Sequence, residues 1–210
     1  MPPKPKFTKE DIIDAALDII RESNPESITA QSVAKRIGTS TSPVFTYFNT
    51  LEELRDASVK QAREMYNVYA ERGLAMTFAM EYIKFAMDEP SLFRLLFMRK
   101  ANNTSTVLDF LDREGHLEMI LDEVINIFHI DREQAKWLYD NLWSYAHGLA
   151  ALCASEVMRF SDEELAERLG TICRALVILL QIPNDERTKI IPKQDLEISG
   201  KVEEYVSVRK

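Results

Sequence analysis

Apolar positions recur along most of this chain at intervals of three and four, the spacing of one face of an α-helix and not the strict alternation of a strand. In "FTKEDIIDAALDIIRES" (7–23), Ile12, Ile13, Ala16, Leu17 and Ile20 share such a face. Thr8 followed by Asp11 has the form of a capping box with Asp in place of Glu. Asn24-Pro25 ends the segment, because the residue before proline is pushed out of the helical region. "SITAQSVAKRIG" (27–38) predicts a short second helix, capped by Thr29, with Val33, Ala34 and Ile37 turned inward and Gly38 as its terminator. After a polar turn, Ser42-Pro43 predicts a third helix with Ser42 as cap and Pro43 in the first helical position. Val44 and Phe48, four apart, share its buried side, which leaves Thr46 and Tyr47 on the outside.

Thr50 and Glu53 predict another capping box, opening a long helix over 50–72. Further helices are expected at 75–88, at 90–100 behind Pro90, and from 107 to 128 beyond a loop at "NNTST" (102–106), with a break at Gly115. Asp131 with Gln134 caps a helix over 133–157, and Ser161 with Glu164 caps one over 163–181. From Pro183 the periodicity dissolves into a polar tail, apart from a weak apolar alternation at 196–208. The pattern therefore predicts an all-α fold of about nine helices, divided into a three-helix head (1–50), a helical bundle (51–182) and a tail (183–210).

Composition agrees with that picture. The chain has 210 residues, 46% hydrophobic and 29% charged, with 6 Gly and 8 Pro, the profile of a folded helical protein. Cys153 and Cys173 lie in apolar helical stretches and are expected to be reduced, buried thiols. No apolar leader follows "MPPKPKFTKED", and the longest apolar run, "ALVILLQI" (175–182), is too short to span a bilayer. A cytoplasmic protein with no membrane partner is expected. Net charge is −8, which argues against binding a polyanion over the whole surface. Its distribution qualifies this. Residues 1–63 carry nine Lys/Arg against nine Asp/Glu, so the entire negative excess belongs to 64–210.

The neutral head contains the most distinctive chemistry. The second helix, the turn and the third helix together have the length of a helix-turn-helix unit. Small hydroxyl side chains at a helix start approach phosphate closely, while backbone N–H groups and the helix dipole attract the anion. Thr39, Ser40, Thr41 and Ser42 supply such a surface, although Ser/Thr-rich turns also serve as plain corners with no ligand. Spacing alone fits both.

Residues 8–54 resemble the DNA-binding domain of the tetracycline-repressor (TetR) family of bacterial regulators. The matching features are "IIDAALDIIRE", "ITAQSVAKRIG", "TSTSPVFTYF" and "NTLEELRDA", in that order. The resemblance implies a double-stranded DNA operator met by Thr29, Gln31, Thr39, Ser40, Thr41, Ser42, Phe45, Thr46 and Tyr47. It also implies two recognition helices in successive major grooves, roughly 34–36 Å apart. Two positions depart from the family: Phe45 stands where a Tyr is usual, and Leu51 where a Lys is usual. Each departure removes a phosphate contact, so weaker and less salt-dependent binding is expected. Lys4, Lys6 and Lys9 form a basic arm that offsets part of the loss.

Further on, "EYIKFAMDEPSLFRLLF" and "WSYAHGLAAL" look like the ligand domain of the Trp–His–Gly (WHG) subtype of that family, with Trp143, His147 and Gly148 as the signature residues. Trp143 and His147 share a helical face, and Gly148 is expected to let a neighbouring helix approach. Aromatic residues at helical spacing are core, pocket lining, or both. The pocket for a small apolar or amphipathic effector is assigned to Phe78, Tyr82, Phe85, Phe97, Phe110, Trp143, Tyr145 and His147. The last two helices carry long apolar faces. By resemblance they form a homodimer interface through Leu142, Leu149, Cys153, Leu169, Ile172, Leu176 and Leu179. His116, His129 and His147 lack metal-ligand spacing, and no phosphate loop, nucleophile elbow or catalytic triad order occurs. The expectation is a ligand-responsive repressor without cofactor, metal or enzymatic activity.

Overall fold

Local caps set where the helices begin. Thr8 Oγ1 accepts the Asp11 N–H at 3.1 Å and the Asp11 carboxylate accepts the Thr8 N–H at 2.8 Å, opening α1 (Lys9–Glu22). Its five predicted apolar residues are all buried. Asn24 stops it by capping a 3-10 turn at Pro25–Ser27. Thr29 then caps α2 (Ala30–Ile37), which closes on Gly38 in the left-handed region at φ +70°. The computed structural model describes residues 6–73, 77–98, 117–183 and 186. Beyond α2 it contains α3 (Ser42–Tyr47), α4 (Leu51–Ala70), α5 (Phe78–Asp88), α6 (Pro90–Phe97), α7 (Leu117–Phe128), α8 (Arg132–Ala154) and α9 (Asp162–Leu180). The protein is all-α, with nine α-helices and no strand among the described residues. The loop expected at 102–106, the first half of the seventh helix, Phe110 and most of the tail lie outside them.

Both late capping boxes form as their sequences predict, Asp131 with Gln134 and Ser161 with Glu164. The box at Thr50 forms by half. Thr50 Oγ1 accepts the Glu53 N–H at 3.1 Å, but the Glu53 carboxylate reaches one residue further back and accepts from the Asn49 N–H at 2.7 Å. The Asn49 amide adds a second donor, so the longer reach satisfies more acceptors.

Head and bundle share one core. Ile12, Leu17, Val44, Phe48 and Leu54 belong to the same buried cluster as Tyr66, Phe85, Phe93, Ala150 and Leu165. A second, smaller core joins α7 to the first half of α8 and to Leu180. α5 lies along α8, with α4, α6 and α9 beside it, and α1 packs on α2, α4 and α6. At the centre, Tyr66, Tyr82, Phe85, Phe93 and Phe97 meet edge to face or tilted, with ring centres 5.0–6.1 Å apart. Full burial of a side chain such as Phe85 or Phe93 contributes about 2–3 kcal/mol.

Polar contacts then tie α6 to the ends of two neighbours. Arg21, in the last turn of α1, donates from Nε and Nη2 to both oxygens of Glu89, each at 2.8 Å, and from Nη1 to Asp18 at 3.1 Å. Ser91 Oγ donates to the Arg21 carbonyl at 3.1 Å and accepts from Arg94, whose guanidinium also caps the Ala154 carbonyl at the end of α8. On α2, Arg36 pairs with Asp18 at 3.6 Å and with Glu22. No described helix is long and apolar enough to cross a membrane.

Candidate functional site

The turn between α2 and α3 is built on one glycine. The Thr39 N–H reaches back to the Ala34 carbonyl at 2.9 Å, which needs the left-handed conformation that Gly38 adopts. Thr41, and not Ser42, precedes the first helical residue of α3. Its backbone is already helical (φ −72°, ψ −12°), and no side chain caps the helix. The expected Ser42 cap is corrected accordingly. The consequence is chemical: among the described residues, the hydroxyls of Thr39, Ser40, Thr41 and Ser42 make no hydrogen bond to the protein, and Ser40 and Ser42 are exposed.

Val44 and Phe48 are buried as their spacing predicts. Phe45 stands outward, 53% exposed. Thr46 is also exposed, with its hydroxyl donating to the Ser42 carbonyl at 3.0 Å. Tyr47 departs from expectation. It is half-buried, and its phenol donates to the Phe7 carbonyl at 2.9 Å. Position 47 lies three after Val44, so it falls at the edge of the buried face and anchors the chain leading into α1. Thr29 is exposed but shares its hydroxyl with Ser32 in the α2 cap, whereas Gln31 is exposed. The exposed Lys6 ammonium lies 5.4 Å from the Phe7 ring centre, and Lys9 lies 5.2 Å from that of Phe48. Lys4 is outside the described residues. Leu51 is half-buried at the start of α4. Asn49 holds Glu53 below the usual carboxylate range through its backbone and side-chain hydrogen bonds, so the rim of the turn is neutral to acidic.

Inside the bundle, Phe78, Tyr82 and Trp143 line a cavity together with Ala79, Val124, Phe128, Leu138, Tyr139, Leu142, Ala146 and Cys173. Its volume is about 30 Å³, room for one water. Among the described residues no charged side chain lines it. The Tyr82 phenol and His147 Nδ1 are 2.8 Å apart, and the His147 ring stacks on Trp143 at 4.8 Å. Burial raises the Tyr82 phenol well above its ordinary value and lowers the His147 imidazole, so both are neutral at pH 7.

The remaining assignments divide. Phe85 is fully buried core, and Phe97 packs on Tyr66, Tyr82 and Phe93, so neither lines the cavity. Tyr145 points the other way, into an open groove of about 460 Å³ between α8 and α9, beside Glu164, Arg168, Ile172 and Ala175. Sequence reasoning missed Tyr139. Its spacing of four from Trp143 and seven from Ala146 places all three on one stripe, a signal that was present.

The residues assigned to a dimer interface lie in different places within the chain. Leu149, Cys153 and Leu169 are buried in the chain's own core, Leu142 lines the cavity, and Leu176 packs on the second core. Ile172 and Leu179 remain half-exposed. The outward face of these two helices also carries Tyr145, Gly148, Leu152 (40% exposed), Ala175 and Ile178 (60% exposed). Among the described residues no helix packs closely on Gly148, since a Cβ added there meets nothing within 4 Å. Both cysteines are buried and unbridged, and no group of three metal-ligating side chains occurs among the described residues. No protein-family model matches the chain, and no curated protein matches it.

Proposed function

We propose that the protein is a DNA-binding transcriptional regulator, a two-fold dimer that reads a palindromic operator and acts as a repressor. The observation that carries this reading is the outward surface of α3 and its turn. Four hydroxyls are left unengaged beside exposed Phe45 and Thr46, while Val44 and Phe48 lock the helix to the head. Hydroxyls and backbone amides at that position suit phosphate contacts without cations. The order of motifs in residues 8–54, which resembles the tetracycline-repressor family, supports the same reading.

The cavity between α5, α7 and α8 is the proposed effector site. Its uncharged lining favours a small apolar molecule, with the Tyr82–His147 pair behind it as a polar contact. Since the present volume admits one water, an effector would bind an expanded state. It would release DNA only by its difference in affinity for that state. The α6 contacts to α1 and α8 are the proposed coupling, because they join the cavity helix to the head.

A second reading is favoured by the same small cavity and by the absence of Lys and Arg from positions 37–54. It is a helical regulator that binds DNA weakly and answers a protein partner. Selection of duplexes from a random pool by the full-length protein, followed by fluorescence anisotropy, separates the two. Sequence-selective binding weakened several-fold by Ser40→Ala with Ser42→Ala supports the first. Enrichment of no sequence, or selective binding indifferent to that pair, removes this surface from the function.

A further inference from the structure

We infer that α3 reads thymine methyl groups, with Phe45 as the residue that sets operator specificity. The inference rests on the proposed DNA-reading role of the head. In the major groove, guanine is distinguished by Arg or Lys, adenine by Asn or Gln, cytosine by an acidic side chain, and thymine by apolar contact with its C5-methyl. Positions 39–48 contain none of the charged or amide side chains that these pairings require. Asn49, just beyond, has its amide held by the Glu53 carboxylate at 3.2 Å. The helix therefore cannot make the bidentate contacts that read guanine or adenine.

Beyond the exposed Ser42 at its start, what it presents is apolar, since the Thr46 and Tyr47 hydroxyls are both bonded within the chain. Phe45 is 53% exposed in the middle of a six-residue helix, flanking the face on which Val44 is buried. Its ring has no hydroxyl with which to meet a phosphate. Beside it, Thr46 has turned its hydroxyl back to the Ser42 carbonyl, which leaves its methyl as the group not bonded to the backbone. A ring and a methyl side by side match the C5-methyls of neighbouring thymines, the apolar groups that a base-pair edge offers in that groove. The hydroxyls of the turn would supply phosphate contacts and register, and the methyls would supply discrimination.

Deoxyuridine lacks the methyl and pairs as thymine does, which makes a direct test. Each thymine of a duplex selected by the full-length protein is replaced in turn by deoxyuridine, and affinity is measured by anisotropy. One or two positions per half-site should lose about fourfold per methyl, the worth of one buried methylene. Phe45→Ala, a change at an exposed position whose circular dichroism should match that of the unaltered chain, should bind the thymine duplex more weakly and abolish the difference at the position it covers. Phe45→Tyr should keep the difference. Selective binding that is indifferent to every deoxyuridine overturns the inference and leaves the DNA-reading role standing. A methyl dependence that survives in Phe45→Ala overturns Phe45 as the reader. Failure to select any duplex overturns both.

Discussion

Gly38 isolates a pure backbone effect. Its φ of +70° lies where an L side chain is strained, yet a Cβ there would touch nothing within 4 Å. Gly38→Ala should therefore destabilise by about 1–2 kcal/mol through conformation alone, and Gly38→Asn by less, as measured in urea melts. His147 gives a pH signature. Burial lowers its pKa in the folded chain, whereas in the unfolded chain an imidazole titrates near about 6.5. Below that value the unfolded chain holds the extra proton first, so stability falls as pH drops through it towards the lower folded value. His147→Gln, which keeps a polar partner for Tyr82 but does not titrate, should flatten the change in thermal midpoint between pH 7.5 and 5.5. Carboxylates held low, such as Glu53, lose their contribution only in more acidic solution, as pH falls through their folded values. An unchanged slope in His147→Gln would place the acid sensitivity elsewhere.

At the scale of elements, α6 is eight residues long and yet touches the C-terminal ends of both α1 and α8. The paired bonds from Arg21 to Glu89 join the head to the α5–α6 corner. Their partial exposure limits their coupling, so a double-mutant cycle of Arg21→Ala and Glu89→Ala should return about 1 kcal/mol, declining with salt. A coupling near zero would leave packing alone to hold the corner. Such ties across 68 residues were not legible in the sequence, whereas the helix starts at Thr8, Thr29, Asp131 and Ser161 were, since a cap is completed within three or four residues. Where competing partners lie equally close, the local signal misleads. Glu53 found Asn49 in place of Thr50, and Thr41 took the position expected for Ser42. In α8 the difficulty was different. The helix is apolar on more than one side, and its period cannot say that Leu149 and Cys153 turn into the core while Gly148 and Leu152 turn out. Cavity residues such as Val124 and Cys173 arrive from α7 and α9, so only the assembled bundle brings them to Tyr82.

For the whole molecule, the outward faces of α8 and α9 leave Leu152 and Ile178 uncovered. On the proposed dimer they meet their copies, and Leu152→Asp with Ile178→Asp should yield a folded monomer in sedimentation equilibrium. A wild-type chain that sediments as a monomer at tens of micromolar would rule out that assembly. The division of charge has a kinetic consequence. A neutral head on a body bearing the whole excess of −8 gives the molecule an electric moment, which turns the head towards a polyanion while the body is repelled. At low ionic strength the repulsion reaches furthest, since the screening length is about 30 Å at 0.01 M and about 10 Å at 0.1 M. Encounter with a duplex should therefore quicken as salt is first added, the reverse of what a basic DNA-binding domain does.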